Sequence, residues 1–235
     1  MAHKGLDPED WEVFRAKAHQ MLDAAVDQMA GAAEHPWQPL PEDLPARYAI
    51  GQSGDLVQRL KDDVLPHHGG NIHPRFWGWV QGTGLASDLL ASVASVAVNA
   101  NLGGRCHGAN EMERVVIDWA RRTMGLPDSA SGVFVTGTSQ ATVLSFQAAR
   151  VRALSDLRRR GQAGHRLTAY AAAGVHNATS KALELLGIGS ENLRSVPLKE
   201  GRMDVNALRR MVQEDRMAGA LPFLLVGTAG SVDLG

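Results

Sequence analysis

The sequence predicts an α/β protein in which a helical N-terminal arm precedes a mainly parallel sheet with helices on both faces. Three observations carry that expectation. From Val133 onward, short β-rich runs alternate with helical patterns, and repeated strand-helix units build a parallel sheet covered by its own helices. Upstream of Val133 the recognisable patterns are helical. The composition, 44% hydrophobic and 21% charged over 235 residues, is globular and supports a substantial core.

Taken in order, Asp7-Pro8 reads as an N-cap and first helical residue. Trp11, Phe14, Ala18, Met21, Leu22, Ala25 and Met29 then recur at helical spacing until Gly31. Residues 35–48 carry Pro36, Pro39, Pro41 and Pro45, so this stretch is expected to be an extended arm crossing a surface. A helix is expected over residues 85–98. Another starts at Asn110, with Met112, Val115, Val116 and Trp119 on one face and Gly125 before Pro127 as its stop.

The alternation follows. Val133–Thr136 reads as a strand and Ser139–Arg160 as one long helix; Leu167–Ala172 as a strand and Asn177–Leu186 as a helix. Arg194–Leu198 reads as a strand, Asp204–Ala218 as a helix with Val205, Leu208, Met211 and Val212 inward, and Pro222–Thr228 as a strand. At Ser231–Gly235 the pattern breaks off before any helix covers the last strand, and neither an internal repeat nor a low-complexity segment accounts for it.

Charge and cysteine usage exclude several function classes. A formal net charge of −1 leaves no electrostatic footprint for nucleic acid, and Arg158-Arg159-Arg160, following Arg150 and Arg152, reads as a solvated helix face. Neither a signal-peptide core nor a membrane-length apolar window is present, which points to a cytoplasmic protein without a membrane partner. Cys106 is the one cysteine, so no internal disulfide forms. His67, His68, His73 and His107 lack ligand spacing and a partnering cysteine or carboxylate pattern; no metal is expected.

Two places carry chemistry. In Thr136-Gly-Thr-Ser-Gln-Ala-Thr142 a strand-to-helix turn, eased by Gly137, aims the N–H groups of Thr138, Ser139 and Gln140 outward, and Thr138 and Ser139 add hydroxyls. Such a helix start favours a phosphate, although Ser and Thr there also serve as plain caps. The glycine patterns of a P-loop and of a dinucleotide fold are absent: Gly187-Ile-Gly189 follows a helix and lacks a third glycine, and Gly82-Thr-Gly84 fails likewise. His176 follows the strand Leu167–Ala172, at the carboxyl edge where open sheets bind ligands; Thr228 and Ser231 fall at the same edge. A cap is the competing reading of His176. The rigid loop His73-Pro-Arg-Phe-Trp-Gly78 serves either as a pocket wall or as a surface loop anchored by Phe76 and Trp77.

These pieces occur together in a known order. His73–Gly78, Glu111-Met-Glu113 with Trp119, Gly132–Thr142, His176 with Lys181–Gly189, Gly201–Asp204 and Gly227–Ser231 make the chain resemble the group II pyridoxal-phosphate-dependent amino acid decarboxylases over nearly its whole length. The resemblance implies an N-terminal helical arm followed by the first half of a fold-type-I large domain. Residues 1–84 would form helix, arm and entrance loop, and residues 85–235 a partial domain binding pyridoxal 5′-phosphate. Thr138 and Ser139 match the loop that holds the cofactor phosphate, and His176 matches the catalytic histidine that stacks on the pyridine ring. Ser231 matches a hydroxyl residue near the cofactor; His73, Pro74 and Phe76 match the loop lining the substrate entrance. Gln140 stands where relatives often have an acidic or small residue, and Ala229-Gly-Ser231 replaces a more usual Thr-Gly-Thr.

The family uses its cofactor as an electron sink for loss of the carboxylate from an amino acid. Its Schiff-base lysine and the aspartate that protonates the ring nitrogen lie downstream of the segment matching Gly227–Ser231. Asp233 is too early to be that aspartate, and Lys181 matches a non-catalytic helix position. The chain is therefore expected to be an N-terminal half, inactive alone, whose C-terminal half is a second chain, removed or unseen. Relatives are dimers, so a homodimer is expected, with the first helix and the arm at its interface. Another fold-type-I chemistry (lyase, aminotransferase-like or oxidative) and a non-catalytic truncated subunit are the alternatives, and the amino acid itself stays open.

Overall fold

The computed structural model describes residues 7–49, 54–101, 103 and 106–231. Met1–Leu6, Asp233 and the chain end at Gly235 lie outside the described residues. Internal contacts divide the chain into two units, Met1–Arg105 and Cys106–Gly235.

The first unit opens on α1 (Trp11–Ala30), which Gly31 ends as expected. Its cap is Asp10 instead of Asp7: the Asp10 carboxylate accepts from the N–H groups of Glu12 at 2.8 Å and Val13 at 3.1 Å. An aspartate satisfying two orphan donors fixes the helix start better than the Asp-Pro pair three residues earlier. A 3₁₀ turn (Ala32–Glu34) leads into the proline-rich segment. That segment is extended only as far as Pro41, because α2 (Leu44–Arg47) forms a single helical turn within it. The turn is held electrostatically: Arg47 bonds Asp43 at 2.9 and 3.0 Å and Asp63 at 2.6 Å, and Asp63 is buried. The Arg47 guanidinium holds the Asp43 carboxyl below its ordinary range. Next come α3 (Leu56–Arg59), a π-helical stretch (Leu60–Val64), the loop over residues 65–85, and α4 (Ala86–Val98), which Asn99 ends in the left-handed conformation at φ 45°.

The second unit begins with α5 (Gly108–Thr123). Val133–Thr136, expected as a strand, belongs to no sheet among the described residues, and Val133 and Phe134 are exposed. A strand exists only through a neighbour, and here the Phe134 N–H donates to Glu113 Oε1 on α5 at 2.9 Å. The expected long helix is two: α6 (Thr138–Ala153) and the short α7 (Leu157–Arg160). Leu154 is extended (φ −123°, ψ 94°) and packs on the core, while the Asp156 carbonyl starts the new turn by accepting from Arg159 and Arg160. Arg158, Arg159 and Arg160 are exposed.

Then follow β1 (Leu167–Ala172), α8 (Ala178–Leu185), β2 (Leu193–Val196), the small antiparallel pair β3 (Leu198–Lys199) and β4 (Arg202–Met203), α9 (Val205–Met217) and β5 (Leu221–Val226). Strands β2, β1 and β5 form a parallel sheet in that order. Period-two alternation along β1 separates the two faces. Leu167 and Ala169 pack with Phe146 of α6, Ala182 and Leu183 of α8, and Ile188; Tyr170 packs with Val196 and with Ala207 of α9. The register of β1 and β5 slips where Thr168 pairs with Pro222 and Ala169 with Leu224, since proline cannot donate to the ladder.

Candidate functional site

α6 begins at a bare N-terminus. No side chain caps it at Gly137, and its first turn carries the exposed hydroxyls of Thr138 and Ser139. The Thr142 hydroxyl is already spent on the Thr138 carbonyl at 2.8 Å. Gly137 has φ 177° and ψ 165°, an extended geometry open to any residue, so the turn does not need a glycine. The approach is open as well: a Cβ at Gly137 would meet nothing within 4 Å. Outward N–H groups, two hydroxyls and an open approach fit a phosphate-bearing ligand.

Two side chains steady this loop that the sequence reading valued differently. Gln140 Oε1 accepts from the Thr136 N–H at 3.2 Å and the Thr136 hydroxyl at 2.9 Å, so it latches the loop to its own helix. Glu113 fixes the preceding segment through Phe134. The Glu-Met-Glu run and the unusual Gln140 were visible in the sequence, but their partners depend on how the loop folds back.

Topology brings the remaining residues of this unit to one edge. His176 follows β1 and Ser231 follows β5, and the two strands pair in parallel, Ala171 opposite Val226. The C-terminal half of α6 (Ala148, Ala149, Arg152, Ala153) shares a cleft with Leu221–Phe223 at the start of β5. The helix therefore runs against the strands, and its N-terminus points toward their carboxyl edge. Thr138, Ser139, His176, Thr228 and Ser231 thus gather at the edge where open sheets take ligands.

His176 is exposed, and its Nδ1 accepts from the Ala178 N–H at 3.2 Å. An amide can only donate, so that nitrogen is unprotonated and the neutral ring carries its proton on Nε2. The imidazole is both a cap for α8 and an oriented flat surface at the edge. Lys181 lies exposed on α8.

In the first unit, the loop with His73, Pro74 and Phe76 is held from behind. His73 Nδ1 accepts from the Arg75 N–H at 3.1 Å and Nε2 meets the Ala33 carbonyl at 3.1 Å. Pro74 and Arg75 are exposed, Phe76 is half-buried, and Trp77 stands 94% exposed. Trp79 adopts φ 50°, a conformation uncommon for a bulky residue. Among the described residues no cluster of three or more His, Cys, Asp or Glu could hold a metal, and no helix is long and apolar enough to cross a membrane.

Comparison with known proteins bears on this geometry. The pyridoxal-dependent decarboxylase conserved domain matches residues 50–235. An aromatic-L-amino-acid decarboxylase of Bacillus atrophaeus is 31% identical over 95% of this chain and 48% of its own length. A 4-hydroxyphenylacetaldehyde synthase of Rhodiola rosea is 32% identical over 77% of this chain and 38% of its own. The crystal structure of Catharanthus roseus tryptophan decarboxylase in complex with L-tryptophan superposes with a TM-score of 0.80 at 25% identity, covering 97% of this chain and 52% of that one. The chain spans about half the length of the curated relatives it matches, 48% for the first.

Proposed function

Because the chain belongs to the pyridoxal-dependent decarboxylase family, we propose that it serves the decarboxylation of an aromatic L-amino acid to the amine and carbon dioxide. The observation that carries this reading is the bare N-terminus of α6, with its two hydroxyls, at the same sheet edge as His176. Bound pyridoxal 5′-phosphate, the family's cofactor, supplies an electron sink for the bond to the carboxylate.

In this reading the N–H groups at the start of α6 and the Thr138 and Ser139 hydroxyls hold the phosphate, because aligned peptide dipoles and hydroxyl donors favour an anion there. Gln140 keeps the loop in place through Thr136. His176 would present its ring to the cofactor, oriented by the Ala178 N–H on Nδ1, with Nε2 as its remaining polar atom. Ser231 adds a hydroxyl from the end of β5. His73, Pro74 and Phe76 belong to the substrate side, within a functional division of residues 1–84 and 85–235. The active assembly is a homodimer in the cytoplasm. No lysine of residues 1–235 matches the family's covalent one, and we assign this chain alone no turnover.

One observation favours a second reading of the same site. An aldehyde synthase is 32% identical over 77% of this chain, beside 31% over 95% for a decarboxylase, so the oxidative outcome belongs in the same test.

The test is the intact mass of every polypeptide in the purified protein after borohydride reduction with pyridoxal 5′-phosphate. It is followed by a panel of L-tryptophan, L-tyrosine, L-phenylalanine and L-glutamate, scored for amine, aldehyde and carbon dioxide. A pyridoxyl group on a lysine outside residues 1–235, with amine from an aromatic substrate, supports the reading. Aldehyde in place of amine moves the protein to the second reading. A pyridoxyl group on a lysine within the chain would overturn the reading that the covalent lysine lies outside residues 1–235.

A further inference from the structure

The loop carrying Phe76 is fastened by two histidines that use the same geometry. His68 Nδ1 accepts from the Gly70 N–H at 2.9 Å, and its Nε2 meets the His35 carbonyl at 2.9 Å. His73 does likewise with the Arg75 N–H and the Ala33 carbonyl. In each ring one nitrogen faces an obligate donor two residues along the chain, and the other faces an obligate acceptor, on the 3₁₀ turn for His73 and at the start of the arm for His68. Only the neutral tautomer protonated on Nε2 satisfies both partners. His67 is the opposite case: its Nδ1 meets the Asp63 carbonyl at 3.0 Å, which requires the proton on Nδ1.

What the two histidines hold is the seat of Phe76. Gly70 is buried at φ 86°, and a Cβ on it would stand 3.6 Å from the Phe76 ring. A Cβ at Gly78 would come within 2.8 Å of the same ring. The ring therefore packs close to two glycines, one of them set by the His68 turn. Asn71 closes the loop by donating to the Gly82 carbonyl at 2.6 Å.

We propose that His68 and His73 form a two-point clasp that positions Phe76, making His68 a specificity-positioning residue for the substrate-side loop. The functional half of the proposal rests on the reading of that loop given above. The histidines act through the loop and need not touch the substrate. Each ring joins two jobs that simpler side chains separate. Asparagine keeps an acceptor for the N–H two residues on, as in an Asx turn, but is too short to reach the arm. Glutamine carries its amide N–H out toward the arm carbonyl but abandons the turn.

Two measurements decide the matter. Long-range ¹H–¹⁵N spectra of the imidazoles in the full chain at mildly alkaline pH should show His68 and His73 protonated on Nε2 and His67 on Nδ1; a fast-averaging mixture or the reverse pattern at His68 and His73 overturns the clasp. In the turnover-competent protein, H68N and H68Q should each raise KM for the amino acid several-fold while leaving kcat nearly unchanged. Hydrogen exchange should show the Gly70 amide still protected in H68N and unprotected in H68Q. Unchanged KM in both variants overturns the positioning role even where the tautomers stand. Should the wild-type protein turn over no aromatic amino acid, the functional reading fails, while tautomers and exchange still judge the clasp.

Discussion

At the residue scale, the most consequential buried group outside the site is Tyr170. Its hydroxyl donates to Asp215 Oδ2 at 2.6 Å and lies 3.1 Å from the Thr168 hydroxyl, while Arg194 Nε stands 3.3 Å from the same carboxylate oxygen. Burial, and then the Asp215 carboxylate, push the Tyr170 hydroxyl up to about 12. The folded value exceeds the unfolded one, so the stability linked to this proton is complete below pH ~10 and is lost as pH rises through about 12, amounting to roughly 2–3 kcal/mol. Alkaline titration followed by tyrosinate absorbance should show Tyr170 ionising only as the second unit unfolds. Tyr170→Phe leaves a buried carboxylate short of a donor and should cost ~1–3 kcal/mol in denaturant melts. Ser139 makes a prediction of the opposite kind. Ser139→Ala should leave the melting temperature nearly unchanged, since the hydroxyl is exposed, but weaken cofactor binding by ~10-fold or more through loss of a charge-assisted bond. Absorbance titration with pyridoxal 5′-phosphate reads this directly.

At the element scale, stability and site geometry meet in α8. Leu183, fully buried, ties that helix to β1 and α6. Leu183→Ala should cost ~2–5 kcal/mol in chemical denaturation, and the relaxing helix should carry His176 with it. Elements whose signals are local were legible in the sequence. β1, α8, α9 and β5 fall within a few residues of their expected bounds because apolar periodicity and burial agree there. Elements that depend on a distant partner were not. Val133–Thr136 has strand composition but donates its Phe134 N–H to the Glu113 carboxylate, and the break after Ala153 follows from Leu154 turning into the core. His176 and Ser231 could be placed from the strands before them, because strand ends mark the edge of an open sheet; Thr138 and Ser139 reach that edge through the start of α6, since the segment before them is not a strand. The histidine clasp was not: His67, His68 and His73 look alike as letters, and only their carbonyl and amide partners tell their tautomers apart. Gly78→Ala tests the same seat from the ring side. Its Cβ would meet the Phe76 ring at 2.8 Å and displace it, so it should raise KM without lowering the melting temperature appreciably.

At the scale of the whole molecule, the two units leave apolar side chains uncovered in a way that calls for a partner. On α4, Leu90 is 68%, Val93 59% and Val96 81% exposed, and α1 presents Trp11 and Phe14 in edge-to-face contact on its open side. In the second unit, Met112, Val115 and Trp119 on α5 are exposed, though their spacing is that of a buried helix face. Among the described residues β2 and β5 each pair with a strand on one side only. Apolar faces of this extent on a soluble monomer bring association, either specific or not. The proposed homodimer makes a specific outcome the expected one: light scattering should give twice the mass of the 25.2 kDa chain, or of the longer polypeptide if the lysine-bearing segment is covalently attached. Leu90→Lys combined with Val93→Lys should shift the equilibrium toward monomer, because each lysine buried at an interface loses its hydration without a partner. If those substitutions leave the mass unchanged, α4 is not at the interface. If the unsubstituted protein is a monodisperse monomer at every concentration, the exposed faces require some covering other than a second copy.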